Sequence, residues 1–129
     1  MIAPALAAAA LLLTPPPATV DVLWTTLAAR GAAVDVAFGV ECPAGSTGTA
    51  TVTVAQARPS DGLLAQGTAV TALTCSGTGL LYTQRVTASI TGAPFERGKA
   101  TLAMQVVVCD SQECLSTPLN RTVRITRMP

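Results

Sequence analysis

Residues 33–42, Ala33-Val34-Asp35-Val36-Ala37-Phe38-Gly39-Val40-Glu41-Cys42, decide the fold class. Val34, Val36, Phe38, Val40 and Cys42 fall on alternate positions, with Ala33, Asp35, Ala37, Gly39 and Glu41 between them. Side chains of a strand point to opposite faces with a period of two, so the run predicts a half-buried strand with Cys42 on its inner face.

The same period recurs on both sides. Upstream, Val20, Val22 and Trp24 suggest an early strand. Downstream, Pro43-Ala44-Gly45-Ser46 reads as a turn, and Thr51-Val52-Thr53-Val54-Ala55-Gln56 presents a Thr face and a Val face. Arg58-Pro59-Ser60-Asp61-Gly62 is a strong turn signal. Residues 69–75 alternate again and stop at Ser76-Gly77-Thr78-Gly79. Residues 82–90 place Gln84, Val86, Ala88 and Ile90 on one face, before Gly92-Ala93-Pro94 turns the chain. Residues 99–109 form the most apolar run, with Leu102, Met104, Val106 and Val108 on one face. Val123 and Ile125 mark a last strand. About seven short strands at even spacing, with no amphipathic helix, predict an all-β, immunoglobulin-like antiparallel sandwich in preference to a barrel.

Composition agrees. The 129 residues fit one domain. Half are hydrophobic but only 3% are aromatic, and Val, Thr, Gly and Pro are plentiful. Such a chain favours strands and turns, and its core is small enough to need covalent support. Cys42, Cys75, Cys109 and Cys114 supply it. Cys109 and Cys114 are separated by Asp110-Ser111-Gln112-Glu113, a loop short enough to close locally. The expected pairs are therefore Cys109 with Cys114 and Cys42 with Cys75. A four-thiolate zinc site is the competing reading, and the loose spacing of the only close pair argues against it.

Several stretches together carry a resemblance. They are Cys42 with Ala44-Gly45, then Val52-Thr53-Val54-Ala55-Gln56, Cys75-Ser76-Gly77, Phe95-Glu96-Arg97-Gly98-Lys99-Ala100, and Cys109. Their order and spacing over most of residues 19–129 resemble an uncharacterised family of small secreted immunoglobulin-like proteins from high-GC Gram-positive bacteria. That resemblance implies the sandwich fold and carries no activity with it. The short Cys109–Cys114 loop also looks weakly like one in the neocarzinostatin-type antibiotic carriers. The wider Cys42/Cys75 spacing departs from that group, whose first bridge closes a much shorter loop.

At the amino terminus, residues 2–13 are an Ala/Leu run, followed by Thr14-Pro15-Pro16-Pro17-Ala18. An apolar stretch of this length before a helix-breaking, small-residue zone reads as the h-region and cleavage zone of a signal peptide. A basic n-region is missing, and a disordered Ala/Pro-rich leader is the other reading of residues 1–18. The domain then spans residues 19–129, the expected location is secreted or cell envelope, and nothing later is long and apolar enough to span a bilayer.

Chemistry-bearing residues are sparse. The sequence contains no histidine, so a Ser-His-Asp triad cannot be built. A Ser–Lys pair would depend on Lys99, which opens a strand and reads as a solvated edge charge. Asp110 and Glu113 flank the short loop and could hold a cation, although an exposed polar turn explains them as well. Asp61 belongs to turn chemistry. Arg121, Arg124 and Arg127 recur every third residue and so do not share one strand face. Asn120-Arg121-Thr122 fits an N-glycosylation acceptor, incidental in a bacterial setting. Thr49, Thr51 and Thr53 read as a soluble outer face. A net charge of +1 gives no electrostatic case for nucleic acid. Trp24 and Tyr82 are the large amphipathic aromatics that could contact a partner.

The resulting expectation is a non-enzymatic extracellular or envelope domain without cofactor or metal, binding a protein, glycan or small molecule. It has no nucleic-acid partner and no stable membrane insertion. A small-molecule carrier of the neocarzinostatin-like type is one alternative. A secreted protease inhibitor, with a disulfide-braced loop at residues 43–48 or 109–114, is the other.

Overall fold

The computed structural model describes residues 18–127; the leader reading of residues 1–17 lies outside them. Seven strands form: β1 (Thr19–Ala28), β2 (Ala33–Glu41), β3 (Thr47–Ala57), β4 (Leu64–Thr74), β5 (Leu80–Thr87), β6 (Gly98–Cys109) and β7 (Cys114–Arg127). A 3-10 turn at Ala29–Gly31 links β1 to β2.

All seven strands belong to one sheet in the order β4-β3-β6-β7-β1-β2-β5. Every pairing is antiparallel except β1 with β7, which run parallel over only three residue pairs, Thr25–Thr26–Leu27 against Ile125–Thr126–Arg127. This short parallel contact is the junction between two halves of the sheet. It joins a four-stranded half, β4-β3-β6-β7, to a three-stranded half, β1-β2-β5, and the halves close over one core. The expectation of about seven strands, all-β, with two disulfides holds. The pairing departs from antiparallel only at the β1–β7 contact, where the two halves join into one sheet.

The outer strands β4 and β5 meet across a seam held by side chains. The Tyr82 hydroxyl bonds to the main chain of Thr74, and the Thr71 hydroxyl donates to Gln84 Oε1. Gly67 lies where the strands come closest; a Cβ there would overlap the carbonyl oxygen of Thr87. Past the end of β5, Ser89 N donates to Gln66 O at 2.7 Å and Ala93 N to Leu64 O at 3.2 Å.

The predicted inner faces are the core. Val34, Val36 and Phe38 of β2, Val52 and Val54 of β3, and Leu102, Met104 and Val106 of β6 are all buried. Other expectations shift. Cys42 and Cys75 lie one residue past β2 and β4 rather than inside strands, although both are buried. Ile90 does not continue the inner face of β5; the strand stops at Thr87 and Ile90 is fully exposed in the following loop. β7 is much longer than Val123 and Ile125 indicated, because register with β6 carries it from Cys114. Pro118 is tolerated there because β7 has no partner on its other side at that level. Ala18, assigned to the leader, is buried against the core.

The strand directions put both disulfides at one end of the molecule. Cys42–Cys75 ties the end of the three-stranded half to the end of the four-stranded half, and Cys109–Cys114 closes the β6–β7 hairpin. The opposite end collects the β1–β2 turn, the β3–β4 turn, the β5–β6 loop and the end of β7. These are called below the bridge end and the loop end.

Candidate functional site

Trp24 owes its position to an irregularity. Val22 pairs with Phe38 but Trp24 pairs with Ala37, so Leu23 is an extra residue in β1. A bulge of this kind re-aims the side chains that follow it. Val22 therefore faces the core while Trp24 faces outward over the buried Ala37, with 53% of its surface exposed. Leu23, in the bulge itself, is 45% exposed.

Beside Trp24 the sheet opens. β1 and β7 touch only from Thr25 and Ile125 onward, and before that point they diverge. The gap is a cleft of about 370 Å³, with Leu23 and Trp24 on one wall and Arg121, Thr122 and Arg124 on the other. Thr25 Oγ1 donates to Arg124 O at 2.8 Å and closes its floor. Arg121 Nη1 meets Asp21 Oδ1 at 3.3 Å, an exposed pair that spans the cleft. Arg124 and Thr126 also line a larger open cleft of about 650 Å³ at the loop end, with Pro59, Ser60, Glu96 and Arg97. An indole beside guanidinium groups can stack a flat or apolar surface and bind a carboxylate or phosphate at once.

Tyr82 sits differently. Its ring stacks on Phe38 with centroids 5.6 Å apart, and its hydroxyl is engaged by Thr74 across the seam. Its polar tip and one ring face are thus occupied within the fold, while Trp24 stands open.

Asp61, Glu96, Asp110 and Glu113 lie in loops. Asp110 Oδ1 accepts from Gln112 N at 2.8 Å and Glu113 N at 2.9 Å, and these hydrogen bonds hold its pKa below the usual value. Asp110 and Glu113 therefore build the hairpin turn, and among the described residues no three potential ligands gather to hold a metal. Asp61 accepts from Arg58 and from Leu63 N, as turn chemistry requires. Glu96 accepts from the hydroxyl and main-chain N–H of Ser60, which lower its pKa, with Arg58 nearby. Lys99 is exposed near the start of β6, directly opposite Arg124.

Two buried residues that position the loop end have no role in the sequence reading. Phe95 is buried under the β1–β2 turn, where its N–H donates to Gly31 O at 2.7 Å. Gln56 is 1% exposed; its Nε2 donates to Glu96 O at 2.9 Å and its Oε1 accepts from Glu96 N at 2.9 Å. Gln56 follows Val52 and Val54 on the inner face of the alternating run, and the hydrogen bonds show that it clasps the β5–β6 loop. No protein-family model and no curated protein sequence matches this chain.

Proposed function

We propose that this protein is a non-enzymatic binding domain of the extracellular space or cell envelope, and that it contacts its partner through the Trp24 cleft. The observation that carries the reading is the β1 bulge, which turns a lone tryptophan out of a chain otherwise poor in aromatics and sets it beside Arg121 and Arg124. Aromatic and arginine side chains are the usual anchors of binding surfaces. Two disulfides favour an oxidising compartment. So does the leader pattern of the sequence, and its resemblance to small secreted bacterial immunoglobulin-like proteins points the same way. A carrier role has less support, because the clefts are open grooves rather than enclosed apolar cavities.

The test is binding of purified protein to envelope material separated into wall glycan, wall polymer and surface-protein fractions. Wild-type protein should be retained by one fraction, and Trp24→Ala should weaken retention about tenfold or more, as expected of a binding anchor. Leu81→Ala, an exposed change on β5, should not. Equal retention of all three proteins would remove the cleft from consideration.

A further inference from the structure

The charges are segregated along the molecule in a way that a net charge of +1 conceals. Seven of the eight cations lie at the loop end or within four residues of it: Arg30, Arg58, Arg85, Arg97, Lys99, Arg124 and Arg127. Asp35, Asp61 and Glu96 accompany them, and Arg58 bridges the last two, at 3.0 and 3.4 Å. Toward the bridge end lie Asp21, Glu41, Asp110 and Glu113, faced by Arg121 alone. Arg85 is paired with Asp35 at 2.9 Å. Lys99 and Arg124 stand directly opposite on β6 and β7, an arrangement that repels unless an anion sits between or above them.

The same end carries bare apolar tips. Ile90 in the β5–β6 loop is 100% exposed, and Leu63 of the β3–β4 connection and Leu64 at the start of β4 are 58% and 53% exposed. The loops that carry them are fixed to each other. Arg58 Nη1 donates to Pro94 O at 3.1 Å, Ala93 N donates to Leu64 O at 3.2 Å, and Gln56 holds Glu96. Rigid loops presenting apolar side chains within a basic surround match the interfacial region of an anionic bilayer, where apolar groups enter the headgroup boundary and cations meet the lipid charge. A soluble polyanion would satisfy the cations and leave Ile90, Leu63 and Leu64 without a role.

We propose that the loop end is a peripheral docking surface for an anionic lipid membrane. Ile90, Leu63 and Leu64 enter the interface, and Arg97, Lys99, Arg124 and Arg127 meet the headgroups. The acidic bridge end then points away from the surface. This surface shares Arg124 with the Trp24 cleft, but Ile90, Leu63 and Leu64 lie outside that cleft, so Ile90→Ser tests the surface apart from the Trp24 contact.

The test is co-sedimentation of the chain from Ala18 onward, which holds the whole described fold, with vesicles of phosphatidylcholine alone, or with about a third phosphatidylglycerol. Wild-type protein should bind only the anionic vesicles, and salt should weaken the binding. Removing a cation should cost about fivefold in partitioning, so Arg124→Gln with Arg127→Gln should cost roughly 25-fold. Ile90→Ser should cost about tenfold through lost apolar contact. Leu115→Ser at the bridge end should leave binding unchanged. All these side chains are exposed, and unchanged thermal midpoints would verify folding. The proposal is overturned by absent binding to anionic vesicles, or by equal weakening in Leu115→Ser. It is also overturned if inorganic polyphosphate competes fully and Ile90→Ser binds vesicles like wild type, which would make the surface a polyanion site.

Discussion

Single residues set the geometry of the loop end. Gln56 satisfies both polar groups of Glu96 from a buried position, so Gln56→Leu would leave a main-chain N–H and C=O unpaired. Urea denaturation should show a loss of about 2 kcal/mol, within the range for stranding buried polar groups. A loss near zero would mean that water enters and replaces the amide. Gly67 makes a different demand, since the carbonyl of Thr87 occupies the space a Cβ needs. Gly67→Ala should force the β4–β5 seam apart and cost about 2 kcal/mol, as overpacking does. Hydrogen exchange should then quicken at Ser89 N and Ala93 N, whose acceptors lie on β4. Neither role could be read from sequence. Alternation places Gln56 in phase with Val52 and Val54 but does not name its partner, and Gly67 lies in a stretch whose importance depends on a partner strand remote in the chain.

Elements whose burial follows from their own alternation were legible before the structure. β2 and β6 show their inner faces in the sequence because each is packed on the core along nearly its whole length. Legibility failed where long-range pairing decides. The Leu23 bulge depends on β2, the length of β7 depends on β6, and β5 stops when its chain turns toward β4. The two bridges should differ in worth at this scale. In the chain-entropy account, closing a 33-residue separation stabilises by about 3.7 kcal/mol and a 5-residue separation by about 2. Cys42→Ala with Cys75→Ala should therefore lower stability more than Cys109→Ala with Cys114→Ala in urea titrations. The reverse order would show that the β6–β7 hairpin depends on its staple and that β2 and β4 are held by packing alone.

For the whole molecule, the sequence showed a nearly neutral protein, whereas the registers sort its charges to opposite ends. Polarity of this kind cannot be read from composition, because it arises only when strand directions are known. It also bears on pH. Hydrogen bonds from Arg85 hold the pKa of Asp35 down, as hydrogen bonds from Ser60 do for Glu96. A carboxyl whose pKa is lowered on folding contributes stability above its unfolded value, and that contribution is lost as pH falls through the folded value. The urea midpoint should hold steady near neutrality and decline below about pH 4, where unperturbed carboxylates begin to protonate. Asp35→Asn should flatten part of that decline. An unchanged slope would show that the Asp35–Arg85 pair contributes nothing in solution, as many exposed pairs do not.

The fold holds one tryptophan out of its core, and the proposed function makes it the contact with a partner. Fluorescence of Trp24 tests this most directly, because the sequence contains no other tryptophan. Free protein should emit as a water-exposed indole and be quenched readily by iodide. Adding the envelope fraction that retains the protein should shift the emission to shorter wavelength and protect it from iodide. Emission already blue and shielded in the free protein would contradict the Leu23 bulge. Emission that stays exposed while the protein is bound would contradict the cleft as the contact surface.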